Sequence, residues 1–253
     1  MADSMSDANL ATAPDKMTDF PNPVNAEPGM SMSHFLVSSV HDMKNSLAVM
    51  ADFLETALAQ AADPATPLYR QASQALYETR RINDHLIQLL ALYKIEQDFY
   101  PFDPREQNLA DLALDALSRV ANLAQSRGIS LEYECPDNLH AWFDYELIVG
   151  VLVQALHNAL HYTRDRVLCL IAADPRGGIS IRVEDNGPGF PDFLLRQGAS
   201  HQREISFETG STGLGLYFAS VVAGLHRGGE RHGSTRLENE GPLGGGCFVL
   251  ELP

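Results

Sequence analysis

With 253 residues, 45% of them hydrophobic, the chain has room for one large domain or two small ones and is too apolar for global disorder. A formal net charge of −15 argues against a nucleic-acid binder, because phosphate backbones are held chiefly by Lys and Arg; a nucleotide can still be held by backbone N–H groups and a metal ion. Cys135, Cys169 and Cys247 fit neither a zinc pattern nor a disulfide framework, no apolar run reaches the roughly 18 residues of a membrane helix, and no signal-peptide pattern opens the chain, so the expectation is a soluble cytoplasmic protein without membrane insertion.

Residues 1–32 read as a disordered acidic leader, with prolines, Asp and Ser but no periodicity. Leu36, Val40, Met43, Leu47, Met50, Leu54 and Ala57 then recur at alternating spacings of four and three, a coiled-coil seam. The stretch 61–67, AADPATP, interrupts it; Thr66 suits a helix cap and Pro67 a first turn. A second seam runs through Leu68, Ala72, Ala75, Thr79, Ile82, Leu86, Leu89 and Tyr93. Residues 33–98 are thus predicted to form an antiparallel helical hairpin. A lone hairpin encloses no core, so two copies should pair as a four-helix bundle; the alternative is a hairpin packed on its own C-terminal domain. Ile87, Leu90 and Leu92 lie beyond the seam and are candidates to dock that domain.

A proline- and aromatic-rich linker is expected at 99–106, followed by an α/β domain over 107–253. Helical periods fall at 109–127, 145–162 and 213–225; strand patterns fall at 129–135, 166–173, 178–185 and 244–252. This order lacks the βαβ alternation of a doubly wound sheet and predicts an α/β sandwich, one sheet with helices on one face.

Three polar motifs interrupt these elements: ALHNALHYT at 155–163, VEDNGPGF at 183–190 and GSTGLGLYFA at 210–219. Singly, they read as a polar helical stripe, a surface turn and a close helix–sheet contact. As an ordered set they resemble the N, G1 and G2 boxes of the GHKL ATPases, which have the Bergerat fold. With HDMKN (41–45) upstream on a helical hairpin, the chain resembles a sensor histidine kinase over about residues 33–253.

That resemblance implies ATP and Mg2+ as cofactors. It implies that Asp185 accepts the adenine amino group, that Gly187 and Gly189 let the backbone approach the nucleotide, and that Asn158 is the magnesium ligand. His161 and Tyr162 complete the first box, while Gly213 and Gly215 open the helix beneath the phosphates. Two positions depart from the family pattern: Gln154 where a second asparagine is frequent, and His161 where a lysine is common. The lid expected at about 190–212 is short, with no aromatic box beyond Phe193 or Phe207.

His41 falls just outside the Val40–Met43 seam, on the surface, where a phospho-acceptor must be reachable. By the same resemblance, Asp42 orients its imidazole and Asn45, one turn on, positions a water for dephosphorylating a partner. The implied function is an ATP-dependent histidine autokinase that passes phosphate to the receiver domain of a response regulator, acts as a homodimer and takes its signal from a separate sensor or regulatory protein. Two other readings stay open: a non-catalytic phosphotransfer or scaffold protein, and a serine kinase or other GHKL ATPase.

Overall fold

The computed structural model describes residues 32–61, 66–175, 177–197 and 213–253. The expected leader, and most of the lid with Phe207, lie outside these residues.

Two long helices come first, α1 (Met32–Gln60) and α2 (Pro67–Glu96). The second starts as its sequence dictates: Thr66 Oγ1 accepts the Tyr69 N–H at 3.2 Å and Pro67 occupies the first turn, where a missing N–H costs nothing. Along the shared seam Leu47, Leu54 and Leu86 are half-buried, and Thr79 is buried with its hydroxyl returned to the Ala75 carbonyl. Met43 (54% exposed), Met50, Ile82 and Leu89 stay open to solvent, since two helices alone cover only one side of a heptad seam.

The other face of α2 packs on the C-terminal domain. Leu92 belongs to that domain's core, and Ala91 and Ile95 pack against it. Ile87, expected to dock beside Leu92, is instead 45% exposed: it sits five residues before Leu92, half a helical turn away from the docking stripe. The hairpin thus presents one seam to itself and one to its own C-terminal domain.

The connection after α2 is tied down. Asp144 Oδ2 accepts the Asp103 N–H at 3.1 Å, Asp144 Oδ1 accepts from the Tyr100 hydroxyl at 3.3 Å, and Phe102 stands edge-on to His226 at 5.1 Å. Two short strands missed in the sequence follow: β1 (Arg105–Asn108) pairs antiparallel with β3 (His140–Phe143). Each has four residues, too few for an alternating pattern to stand out.

Between them come α3 (Leu109–Arg127), capped by Asn108 at one end and by left-handed Gly128 at the other, and β2 (Ser130–Glu134). Then follow α4 (Tyr145–Tyr162), β4 (Arg166–Ala173), β5 (Ile179–Asp185), α5 (Asp192–Gln197) and α6 (Leu214–Leu225). A two-residue ribbon, β6 (Arg227–Gly228) with β7 (Arg231–His232), leads to β8 (Ser234–Glu238) and β9 (Cys247–Leu252). The main sheet has the order β2-β4-β5-β9-β8; β2 and β4 run parallel and every other pair antiparallel. Helices α3, α4 and α6 supply one side of the core, from Leu112 and Val120 through Ile148, Leu152 and Leu156 to Phe218 and Val222. The opposite side of the sheet carries polar pairs such as Arg182 with Glu184 and Glu238. This is the sandwich the sequence predicts. Among the described residues, no helix is long and apolar enough to cross a membrane.

His226 closes the layer from within. Buried, it accepts the Asp144 N–H at Nε2 (3.0 Å), while Nδ1 lies 2.8 Å from the Val222 carbonyl. Nδ1 therefore carries the proton, and burial keeps the ring neutral by pushing its pKa down.

Candidate functional site

Asp185 ends β5 at the edge of the core, 6% exposed. Its Oδ1 accepts the Gly187 N–H at 2.7 Å and the Gly246 N–H at 3.3 Å. Burial raises its pKa, and the two N–H groups oppose that shift by favouring the carboxylate. The glycines around it are required by space. A Cβ on Gly187 would lie 2.2 Å from the Tyr162 carbonyl oxygen, so only glycine lets the end of α4 close on this turn. A Cβ on Gly245 would meet Asp185 and Gly187 backbone atoms at 2.5 Å.

Asn186 joins the two motifs. Its Oδ1 accepts from the Thr163 hydroxyl (2.8 Å) and from the N–H groups of Arg164, Asp165 and Arg166 (each 3.2 Å), and its Nδ2 donates to Asp165 Oδ1 at 2.7 Å. The turn after α4 is thereby fastened to the turn after β5. Just before that turn, His161 and Tyr162 are both exposed, ring against ring at 4.7 Å.

Asn158 is half-buried on α4. One turn earlier, Gln154 faces the first turn of α6, where a Cβ on Gly215 would lie 2.7 Å from Gln154 Nε2. The α6 start is left-handed at Gly213 (φ 61°), and among the described residues no side chain caps its N–H groups. Free amides and the positive end of a helix suit an anion there. Phe193 stands exposed on α5.

Asp185, Gly187 and Gly189 thus lie in one loop against the end of α4, and Asn158 lies one turn beyond Gln154, which meets Gly215 at the start of α6. An amide oxygen such as that of Asn158 is a hard donor suited to Mg2+; among the described residues no cluster of three or more His, Cys, Asp or Glu offers a self-sufficient metal cage. The donor set fits an ion that draws its remaining ligands from phosphates and water.

His41 is exposed on α1, as its place beside the seam predicts. Its Nδ1 lies 3.2 Å from Asn45 Nδ2, so the group in contact with the imidazole is Asn45. Asp42, expected to orient the ring, is exposed and is among the residues that line the groove between α1 and α2, with Ser39, Met43, Ile82 and Leu86. On a helix, consecutive residues point about 100° apart while i and i+4 share a face, which favours Asn45 as the neighbour.

Several partners were not legible as site residues: Gly245, Gly246, Asn186, Asn239 and Gln88. The sequence pattern places GGG at 244–246 in the last strand, which instead begins at Cys247; nothing in the sequence ties Gln88 or Asn239 to the site.

Residues 143–253 match the family of histidine kinase-, DNA gyrase B- and HSP90-like ATPases. The chain is 29% identical over 229 residues to the sensor-like histidine kinase SenX3 of Mycobacterium tuberculosis, covering 87% of this chain and 53% of that protein. It is 25% identical over 227 residues to the sensor histidine kinase TmoS of Ectopseudomonas mendocina, covering 87% of this chain and 23% of the relative. The chain therefore spans about half the length of SenX3 and less of TmoS. The histidine kinase AdeS of Acinetobacter baumannii shares the fold over 82% of this chain and 95% of its own, with a TM-score of 0.53 at 15% identity. The catalytic domain of the histidine kinase ThkA does so over 60% of this chain and 95% of its own, with a TM-score of 0.51 at 22% identity. The C-terminal portion of the chain, residues 143–253, thus matches that ATPase family, and the relatives to which the chain is similar are sensor histidine kinases.

Proposed function

We propose that the protein is an ATP-dependent histidine autokinase that phosphorylates His41 and relays the phosphoryl group to an aspartate in the receiver domain of a response regulator, and that it also dephosphorylates that partner. The observation that carries this reading is an exposed histidine on a rigid helix, with Asn45 against its Nδ1, in the same chain as the ATPase domain. Attack by Nε2 requires its lone pair to be free. Nδ1 then holds the proton, and the Asn45 carboxamide, turned oxygen-first, accepts it. A bond forms from Nε2 to the γ-phosphorus, the bond to the bridging oxygen of ADP breaks, and the ring loses its Nε2 charge when the phosphoryl moves on to a carboxylate.

Asp185 would accept the adenine amino group, Asn158 would hold Mg2+, and the free amides at the α6 start would face the phosphates. Bound Mg2+ supplies charge neutralisation. The exposed Met43, Met50, Ile82 and Leu89 support a homodimer in which a second hairpin completes a four-helix bundle.

A second reading is a phosphotransfer or scaffold protein with an ATPase domain that no longer turns over. It is favoured by Gln154, whose side chain is engaged by Gln88 and fills the space against Gly215.

Incubation with γ-labelled ATP separates the readings. Acid-labile, base-stable label that vanishes in His41→Ala supports the autokinase; nucleotide binding without label supports the scaffold; acid-stable label points to a serine kinase. Asp185→Asn should weaken nucleotide binding, and unchanged affinity in that variant would remove Asp185 from the site.

A further inference from the structure

Strands β5, β9 and β8 lie side by side, and their register ends on the rungs Glu184↔Cys247 and Glu238↔Cys247. One step further, Asp185, Gly246 and Asn239 come level. The Asp185 N–H donates to the Gly246 carbonyl at 2.9 Å, and the Gly246 N–H returns to Asp185 Oδ1 at 3.3 Å. The row continues through a side chain: Asn239 Oδ1 accepts the Phe190 N–H at 2.7 Å, and Asn239 Nδ2 donates to the Phe190 carbonyl at 2.9 Å. A carboxamide offers an acceptor and a donor side by side, so it pairs with one residue's backbone as a neighbouring strand does.

The clamp falls where the 185–190 loop is most demanding. Gly189 is left-handed at φ 82°, and a Cβ there would lie 2.9 Å from the Asn239 carboxamide. Gly246 leaves no room for a side chain: a Cβ on it would lie 2.9 Å from Asp185 Oδ2 and 3.0 Å from the Phe190 ring. Asn239 therefore holds Phe190, Phe190 closes on Gly246, and Gly246 holds the Asp185 carboxylate.

We infer that Asn239 is a positioning residue for adenine recognition: by clamping both backbone groups of Phe190 it fixes the loop that aims Asp185. This rests on the ATP reading above. It adds a residue outside the three motifs, whose effect is confined to the base end of the nucleotide.

The test uses the full chain, with a trinitrophenyl-labelled ADP as probe displaced by ATP or by GTP, and with amide hydrogen exchange read at Phe190. Asn239→Ala is expected to weaken ATP about tenfold, in line with two lost hydrogen bonds to partly buried backbone. GTP binding should stay unchanged, so the ATP-to-GTP preference narrows, and the Phe190 amide should exchange at least about tenfold faster. Asn239→Asp keeps the acceptor but faces a carboxylate towards the Phe190 carbonyl, and should show the same narrowing. An unaltered preference in both variants, with a folded domain, overturns the proposal. Unaltered exchange at Phe190 overturns the clamp itself, whatever the nucleotide result. Absence of nucleotide binding in the wild type overturns the ATP reading and the positioning role with it, while the Phe190 exchange still reports separately on the clamp.

Discussion

Gln88 of the second hairpin helix donates a 3.1 Å hydrogen bond to Gln154 of the helix that carries Asn158. Gln88 is 5% exposed, and its own carbonyl oxygen is buried with no hydrogen-bond partner among the described residues. Gln154 in turn lies against Gly215 at the start of α6. One bond therefore couples the hairpin that carries His41 to the junction where phosphates are proposed to sit.

Gln88→Ala removes that bond and leaves a small cavity in the α2–α4 contact. The ATPase domain should release from α2 more readily, and label from γ-labelled ATP should accumulate on His41 severalfold faster. Protease cleavage within 97–104 should accelerate in parallel. A slower kinase together with unchanged cleavage would show that the contact supports catalysis instead of restraining it.

Leu92 and Ile87 should behave differently. Leu92→Glu places a carboxylate in the core and should cost about 3 kcal/mol or more of docking or folding free energy. Ile87→Glu, at an exposed site, should stay within about 0.5 kcal/mol in urea unfolding. Equal losses in the two variants would mean that α2 docks in another rotation.

Acid should act on this contact through two groups of opposite sign. His157 Nε2 and Asp84 Oδ2 face each other at 3.8 Å, with Tyr77, Arg80, His85 and Arg127 around them. Burial pushes the imidazole from 6.5 down to about 4 and the carboxyl from 3.8 up to about 6. Folding favours neutral His157, so its contribution is present above 6.5 and is lost as pH falls towards 4. Folding also favours protonated Asp84, so its ionisation costs stability above about 6, and that cost fades as pH falls towards 3.8. The two effects offset each other between about 4 and 6. Asp84→Asn should therefore lose Tm on acidification across this window more steeply than wild type, and His157→Gln less steeply. Superimposable Tm–pH curves for the two variants would refute the assignment.

Leu47→Asp tests the bundle. Leu47 is half-buried in the single hairpin, and a second hairpin would bury it fully. The change should reduce the dimer to monomer by light scattering at micromolar concentration, because an unpaired carboxylate would enter the core. A wild type that is already monomeric would remove the bundle from the proposal.

Asn45→Ala should separate two activities. Loss of its contact with His41 removes an exposed hydrogen bond worth about 1 kcal/mol, so autophosphorylation should fall by no more than about fivefold. Dephosphorylation of the partner regulator should fall by about tenfold or more, because the group proposed to aim the water is gone. Equal losses would make Asn45 a support for the ring alone.

The seams, the Thr66–Pro67 start and the four longer strand patterns were readable in the sequence because each rests on contacts within a few residues or on a period repeated over several turns. His41, Asn158, Asp185 and the glycines stand out there as candidates, as an ordered set of short motifs. What tertiary structure decided lies between distant segments. Asn45, rather than Asp42, meets the His41 ring because helical rotation outweighs adjacency in the chain. Leu92 is buried and Ile87 is not because the ATPase domain covers one stripe of α2. Gln88 meets Gln154 across 66 residues, and Asn239 meets Phe190 across 49. Single polar side chains of this kind carry no periodicity; their partners are set by the register of β5, β9 and β8 and by the packing of α2 on α4 and α6, and only the folded chain brings those elements together.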